Sequence, residues 1–339
     1  MGDRLNLITD VAGIMVGNAH DPSLASGTTV VLVDRPNVAA ASIRGGAPGG
    51  RDTALLEPEM TVEGVDAVVL SGGSAFGLDA AGGVMSVLRQ RGIGHRIGSI
   101  VVPIVSQAIV FDLLNGGDKG WREQPPYWAL GRDATRAARP GGFDLGTVGG
   151  GYGATTADLK GGLGSASTVT GEGFSVAAIA VVNAVGTAIM SDAGHFWAGP
   201  FEEAGEFGAL GPPHGYGTDA RGLRLKGGAP PSTTIALVAT DANLTKAEAK
   251  RLAMMADDGL ARALRPAHAP MDGDTVFAVA TQRRDIAPAQ RSATLTRLGT
   301  AAADCLARAI ARGIYEATAL PLPGALPAWR DRYGREGGR

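Results

Sequence analysis

Ser232-Thr233-Thr234-Ile235-Ala236-Leu237-Val238-Ala239-Thr240-Asp241 is the stretch on which the reading of this chain turns. Residues 235–240 form an apolar run too short for a helix and closed by an acid, which predicts a buried strand. Short apolar runs followed by Asp, Ser, Asn or Gln recur at 29–33, 67–70, 176–182 and 276–281. These are the sheet candidates. Small-residue helices are expected between them. One covers 75–90 after the turn Ser71-Gly72-Gly73-Ser74, where Gly77, Ala80, Ala81 and Gly82 would let a helix lie close to a sheet. A second opens on the capping-box pair Thr245 and Glu248 and continues through Leu252, Met255, Ala256, Leu260 and Leu264 at helical spacing. A third carries the stripe Leu295, Leu298, Ala302, Cys305, Leu306, Ala309 and Ile310, which makes Cys305 a buried structural thiol. Alternating strands and helices indicate an α/β fold.

Composition limits the function classes. The 339 residues are 45% apolar and 19% charged, with a formal net charge of −2. That balance is globular and argues against a large polyanion such as nucleic acid as partner. One cysteine excludes an intrachain disulfide framework and a thiolate zinc site. Neither a signal-peptide pattern nor an apolar stretch of roughly 18 residues is present, so a soluble cytoplasmic protein without membrane partners is expected. Glycine is the outlier: 52 residues, about twice the usual share, points to tight turns and close-packed backbones. Residues 205–232, rich in glycine and proline, read as a long exposed loop, 146–164 as a glycine-dense region around Lys160, and the tail after Leu320 as frayed.

Several motifs compete for the chemistry. Ser74 sits in a strand–turn–helix setting, but Phe76 replaces the second glycine of a nucleophile elbow, and the late histidines His195, His214 and His268 have no distinctive context. The ordinary reading is a tight turn whose backbone amides could face a ligand. Gly149 to Ala154 fits G-x-G-x-x-A without a good strand before it or helix after it. The five histidines lack metal-ligand spacing. Asp272 and Asp274, two apart at the entry to the strand over 276–281, would point to one face if strand geometry already holds at Asp272. Two close carboxylates do not ionise independently, so one could act as acceptor while the other orients it.

Seven segments then carry a likeness that no single motif does: Ile8 to Gly13, Ser42 to Asp52, Leu70 to Leu78, Lys160 to Ser167, Val182 to Gly186, Thr233 to Asp241 and Asp272 to Thr275. Together, in this order and over nearly the whole chain, they resemble the DmpA-type aminopeptidases and the related nylon-oligomer (6-aminohexanoate oligomer) hydrolases. The resemblance implies one domain, a four-layer α-β-β-α sandwich. It implies self-cleavage between Ser232 and Thr233 into fragments 1–232 and 233–339, and a homo-oligomer, a tetramer of cleaved protomers. It calls for no cofactor or metal. Thr233 becomes an N-terminal nucleophile whose α-amine, with a reference pKa of about 7.7 to 8.0, is its own base. Asp272 and Asp274 orient it. Lys160 holds the amine's pKa down, and Asn183 donates to the oxyanion. The substrates implied are short peptides or amides with a free amino end, or linear 6-aminohexanoate oligomers. Two departures stand out: Ser232 precedes the cleavage point where some relatives have Asn or Gly, and Phe111 falls where some have a pocket tyrosine. An acyltransferase of the ornithine acetyltransferase kind, a Ser74 hydrolase and a non-catalytic binding protein are the alternatives.

Overall fold

The computed structural model describes residues 4–190, 192–213, 215, 222–228 and 230–334. All five strand candidates are strands: β2 (Ser26–Ile43), β4 (Gly64–Ser71), β9 (Ser175–Asn183), β10 (Thr233–Ala242) and β11 (Thr275–Arg284). They join β1 (Ile14–Asp21), β3 (Gly50–Arg51), β7 (Val105–Ile109) and β8 (Gly162–Val169), while β5 (His95–Ile97) and β6 (Ile100–Val102) form a separate hairpin. The main sheet has the order β3-β7-β4-β2-β11-β10-β9-β8, with β1 on β2. It is mixed: β10 and β11 run parallel, as do β4 and β7, and the remaining pairs are antiparallel.

β2 explains how one sheet serves three cores. Its residues 31, 33, 39 and 41 enter the core shared with Ile235, Leu237 and Ala239 of β10. On the other face, Val30 and Leu32 pack with α1 (Ala80–Gln90) and α2 (Tyr127–Ala137) through Val84, Leu88 and Leu130. Past the exposed Asp34-Arg35-Pro36 that same face changes partners. Val38 and Ala40 join Ala236, Val238 and the helices α3 (Lys246–Ala256), α4 (Asp258–Ala263) and α5 (Arg291–Tyr315). The strict alternation is the period of a pleated strand buried on both faces. Among the described residues no helix is long and apolar enough to cross a membrane.

Local details correct or sustain the expectations. The capping box is present, with Glu248 N donating to Thr245 Oγ1 at 3.3 Å and Thr245 N to Glu248 Oε2 at 2.8 Å. Cys305 is buried, and burial pushes its thiol up to about 12, which leaves it inert. The helix expected from Ala75 starts only at Ala80, after a 3-10 segment over Ser74–Asp79. The loop over 205–232 is not simply exposed: Phe207 is in the core, Glu206 pairs with the buried Arg308, and Ser232 is buried. The tail is not frayed as far as it is described. Trp329 of α6 (Trp329–Tyr333) is buried and donates Nε1 to Gly194 O at 2.9 Å, and Pro327 O accepts from Lys160 N at 2.9 Å. The glycine-dense region holds a strand. A Cβ on Gly164 would lie 1.8 Å from Ala309 O and one on Gly162 2.2 Å from Gly313 O, so β8 is glycine-rich because α5 lies directly on it.

Candidate active site

β10 places Thr233 at its first position, opposite Asn183 of β9 and beside the turn that leads into β11. Ser232 continues that neighbourhood by a bridge to Asp272, its N donating to Met271 O at 3.1 Å. Both Ser232 and Thr233 are buried. Thr233 Oγ1 hydrogen-bonds to the Ser232 carbonyl. The Gly273 amide donates to that same carbonyl at 2.9 Å and to Thr233 Oγ1 at 3.1 Å. One backbone N–H thus addresses both the hydroxyl and the carbonyl beside it.

The turn that presents Gly273 is held from behind by the segment after β2. Arg44 N and Gly45 N donate to Asp274 O at 3.1 and 3.2 Å, and Ala47 N to Asp272 O at 2.8 Å. A Cβ on Gly45 would stand 2.2 Å from Asp274 N, so this close approach of two backbones requires glycine. Gly273 is constrained from the other side. Its Cβ would lie 2.7 Å from Ala47 O and 2.8 Å from Thr233 Oγ1. Gly273→Ala is therefore expected to displace the hydroxyl and to lower amide hydrolysis at least about tenfold if that hydroxyl reacts, read as kcat/KM on a peptide amide.

Asp272 and Asp274 flank Gly273, but not for the reason the spacing suggests. Strand geometry begins at Thr275, so the turn, not the pleat, brings them close. Their partners differ. Asp274 Oδ1 accepts from Thr234 N at 2.8 Å and its Oδ2 from His268 N at 2.9 Å, with His268 Nδ1 3.0 Å away. Asp272 Oδ1 accepts from Val185 N at 3.3 Å and Oδ2 from Ala269 N at 3.1 Å. Burial, with the charge of Asp274 second, pushes the Asp272 carboxyl up to about 6.

Lys160 is fully buried, and its Nζ donates to Gly151 O, Ala154 O and Gly161 O at 2.8–2.9 Å. Burial pushes it down to about 7. Three carbonyls nevertheless match the three protons of an ammonium. Asn183 lies across from Thr233, but its Nδ2 donates to the Phe111 carbonyl at 2.9 Å, and its Oδ1 accepts from Thr155 N at 3.0 Å. In the uncut chain that amide is already engaged. Phe111 reaches the site through its backbone carbonyl.

Ser74 lies in the turn that follows β4. Its N donates to Val110 O at 2.9 Å and Gly73 N to Asp112 Oδ1 at 2.8 Å, so the amides of the turn are satisfied within the protein and do not face a ligand. Of the three candidate histidines, His268 is bound to Asp274, and His214 lies outside the described residues. Three further groups reach this neighbourhood in roles the sequence reading did not give them, His268 having been weighed only as a partner for Ser74. Lys226 reaches Asn183 Oδ1 and O at 3.3 and 3.4 Å, and burial pushes it down to about 7. Asp112 is buried against Ser26 and Gly73, and burial raises its carboxyl. His268 is the third. No spacing distinguishes these residues, because each reaches the site from a loop.

With the geometry in place, similarity to known proteins becomes informative. The model of peptidase family S58 matches residues 6–324. An uncharacterized aminopeptidase of Mycobacterium tuberculosis is 43% identical over 350 aligned residues, covering 97% of this chain and 98% of the relative. A 6-aminohexanoate-oligomer endohydrolase of a Kocuria species is 29% identical over 84% of this chain and 77% of its own length. Among solved structures, the L-aminopeptidase D-Ala-esterase/amidase of Ochrobactrum anthropi, described as a new variant among the Ntn-hydrolase fold, superposes with a TM-score of 0.68. It is 20% identical and covers 97% of this chain and 94% of its own. A family match that runs from before β1 to beyond α5, joined to a relative of 43% identity over nearly full length, makes this chain a member of peptidase family S58, the DmpA-type family of amide-bond hydrolases.

Proposed function

We propose that the chain is a self-processing N-terminal-threonine amide hydrolase, folded as a four-layer α-β-β-α sandwich and cut into fragments 1–232 and 233–339. The observation that carries this reading is the Thr233 hydroxyl resting on the Ser232 carbonyl while Gly273 N–H donates to both. In the precursor, Thr233 Oγ attacks the Ser232 carbonyl carbon and a C–O bond forms. The oxyanion takes the Gly273 donor, the peptide C–N bond breaks, and the Thr233 nitrogen leaves as an amine carrying the hydroxyl proton. Water then hydrolyses the ester, giving a Ser232 carboxylate and a free Thr233 hydroxyl. An aimed N–H donor of this kind is typically worth about 3 to 4 kcal/mol.

In the mature enzyme the same oxygen attacks a substrate amide and passes its proton to the new α-amine; the resulting ammonium protonates the leaving amine as the substrate C–N bond breaks, and water then hydrolyses the acyl-enzyme ester. Asp272 balances the charge of the amine and Asp274 fixes the strand start. Lys160 disfavours the protonated amine by like charge. Asn183 donates to the substrate oxyanion once its side chain is released from Phe111. The three stacked hydrophobic cores support the four-layer reading.

Substrates are short peptides or amides with a free amino end or 6-aminohexanoate oligomers, since the names of the relatives include both chemistries. The working form is a homo-oligomer, a tetramer of cleaved protomers, in the cytoplasm. A denaturing gel with intact mass tests the first step. Incubating the cut protein with peptide amides, aminohexanoate oligomers and N-acetylornithine, with and without an amine acceptor, tests the second. A wild-type chain that hydrolyses amides while remaining uncut would overturn the proposal, and acyl transfer to the amine without hydrolysis would reassign it to transferase chemistry.

A further inference from the structure

We propose that His268 is a positioning residue for this reaction, holding Asp274 by the carboxylate oxygen that does not hold the nucleophile strand. The proposal rests on the reading of Thr233 as nucleophile. Asp274 divides its oxygens: Oδ1 takes Thr234 N at 2.8 Å, and Oδ2 takes both His268 N, at 2.9 Å, and His268 Nδ1, at 3.0 Å. A clamp by backbone and ring of one residue fixes the carboxylate's rotation, and with it the amide next to the nucleophile.

The clamp carries backbone strain. His268 has a φ of +56°, which places it in the left-handed region that side-chain-bearing residues seldom occupy. Such strain persists only where the surroundings fix it, and it clusters at functional sites. The ring also opens outward. With Ser42, Arg44, Lys250 and Met254 it lines a cleft of about 570 Å³, so the imidazole can exchange protons with solvent while Asp274 is buried.

Charge gives the ring a second role. Around it stand Asp274 and Asp272 in the turn, Asp257 between α3 and α4, Arg44 after β2, and Lys250 of α3, itself paired with Glu57. Arg44 Nε lies 3.2 Å from Asp257. Arg44 is paired with Asp257, Lys250 with Glu57, and Lys226 faces Asp272, which leaves Asp274 for an imidazolium at His268 to balance. The bond to Asp274 raises the imidazole above its ordinary value. The charged form persists below that raised value and is lost as pH rises through it. Its loss leaves carboxylate charge uncompensated beside the Thr233 amine, favours the protonated amine and so lowers the fraction of free amine available as base at a given pH.

The test compares His268→Asn with His268→Ala in cleaved enzyme, using an amino-acid p-nitroanilide that the wild type hydrolyses. Asn tolerates the left-handed backbone and puts a neutral donor near the place of Nδ1. His268→Ala is expected to lower kcat at least tenfold while KM moves less than threefold. His268→Asn is expected to recover most of that loss and to lack the decline of kcat/KM at alkaline pH that the wild type shows. A His268→Asn profile that keeps the wild-type alkaline limb overturns the proposal, as does an Ala variant of normal kcat. Should His268→Ala fail to fold, the Asn profile decides. A separate readout is independent of turnover: histidine-ring NMR on uncut Thr233→Ala protein, with the signal assigned by His268→Asn, should show a titration above 6.5 that falls when Asp274→Asn is added. A His268 titration indifferent to Asp274→Asn sinks the clamp even if the protein proves to be an active hydrolase. A correct titration in a protein that hydrolyses no amide sinks the proposed function alone.

Discussion

Under the proposed mechanism, Thr233→Ala is expected to give a single 339-residue chain where the wild type is expected to give pieces of 232 and 107 residues (339 − 232), and hydrolysis of any amide substrate is expected to fall by roughly 10⁴-fold or more. The size of the expected loss follows from the hydroxyl's double duty. It is the group that rests on the Ser232 carbonyl in the precursor, and after scission it is the oxygen that takes the substrate acyl group. No neighbouring side chain can replace it, because the Gly273 amide that faces it is a donor and not a nucleophile. The fold should tolerate the change. The pairing of Thr233 with Asn183 is made by backbone, and the methyl and hydroxyl removed leave only a small void, worth about 1 kcal/mol. Intact mass, a denaturing gel and a thermal melt on one preparation check all three statements. Thr233→Ser, which keeps a hydroxyl at the same place, is expected to cut and to turn over. A Thr233→Ala chain that is still cut at this bond would show that another group performs the scission.

Parts of this architecture lay open in the sequence, for physical reasons that individual residues make plain. β10, β11, β9 and β4 announce themselves because Val and Ile runs buried on both faces have no polar interruption. The second half of β2 does not, since Ala39-Ala40-Ala41-Ser42 carries little of the β-branched signal that marks a strand. β8 is hidden by its glycines, whose cause is the backbone of α5 on the other side of the contact, a tertiary fact with no local trace. The Asp272 and Asp274 pair was visible as a spacing, although a turn and not a pleat makes it. The buried end of the chain at Trp329 was invisible because one aromatic docking into a core leaves no period to read. Lys226 was missed, and His268 was weighed only as a partner for Ser74, for a related reason. Each comes from a loop, and its partner lies 43 residues away in one case and in a six-residue turn held by a left-handed backbone in the other.

Asp272→Asn should separate stability from activity with opposite pH signs. The folded chain holds the Asp272 carboxyl near 6, against an ordinary 3.8, chiefly by burial. Between those values the folded state keeps a proton that the unfolded chain has released. The stabilisation from that group is therefore present at low pH and lost as pH rises through about 6. At neutral pH the buried carboxylate costs on the order of 1 to 3 kcal/mol, yet chemistry needs it there, as the counter-charge to the Thr233 amine. In the cleaved enzyme the amine's charge lowers the Asp272 value, so wild-type kcat/KM is expected to fall at acid pH as Asp272 protonates, and Asp272→Asn to lose at least about a hundredfold at pH 7.5. Stability should move the other way. In uncut Thr233→Ala chains, which unfold as one polypeptide, adding Asp272→Asn should improve the denaturation free energy relative to its parent more at pH 7.5 than at pH 5. The Asn amide facing the Val185 or Ala269 N–H adds a penalty, but that penalty is the same at both pH values and cancels in the difference. A pH-independent stability difference between the two chains would mean that Asp272 is already ionised at pH 5 in the fold, and the acid loss of activity would then belong to the Thr233 amine.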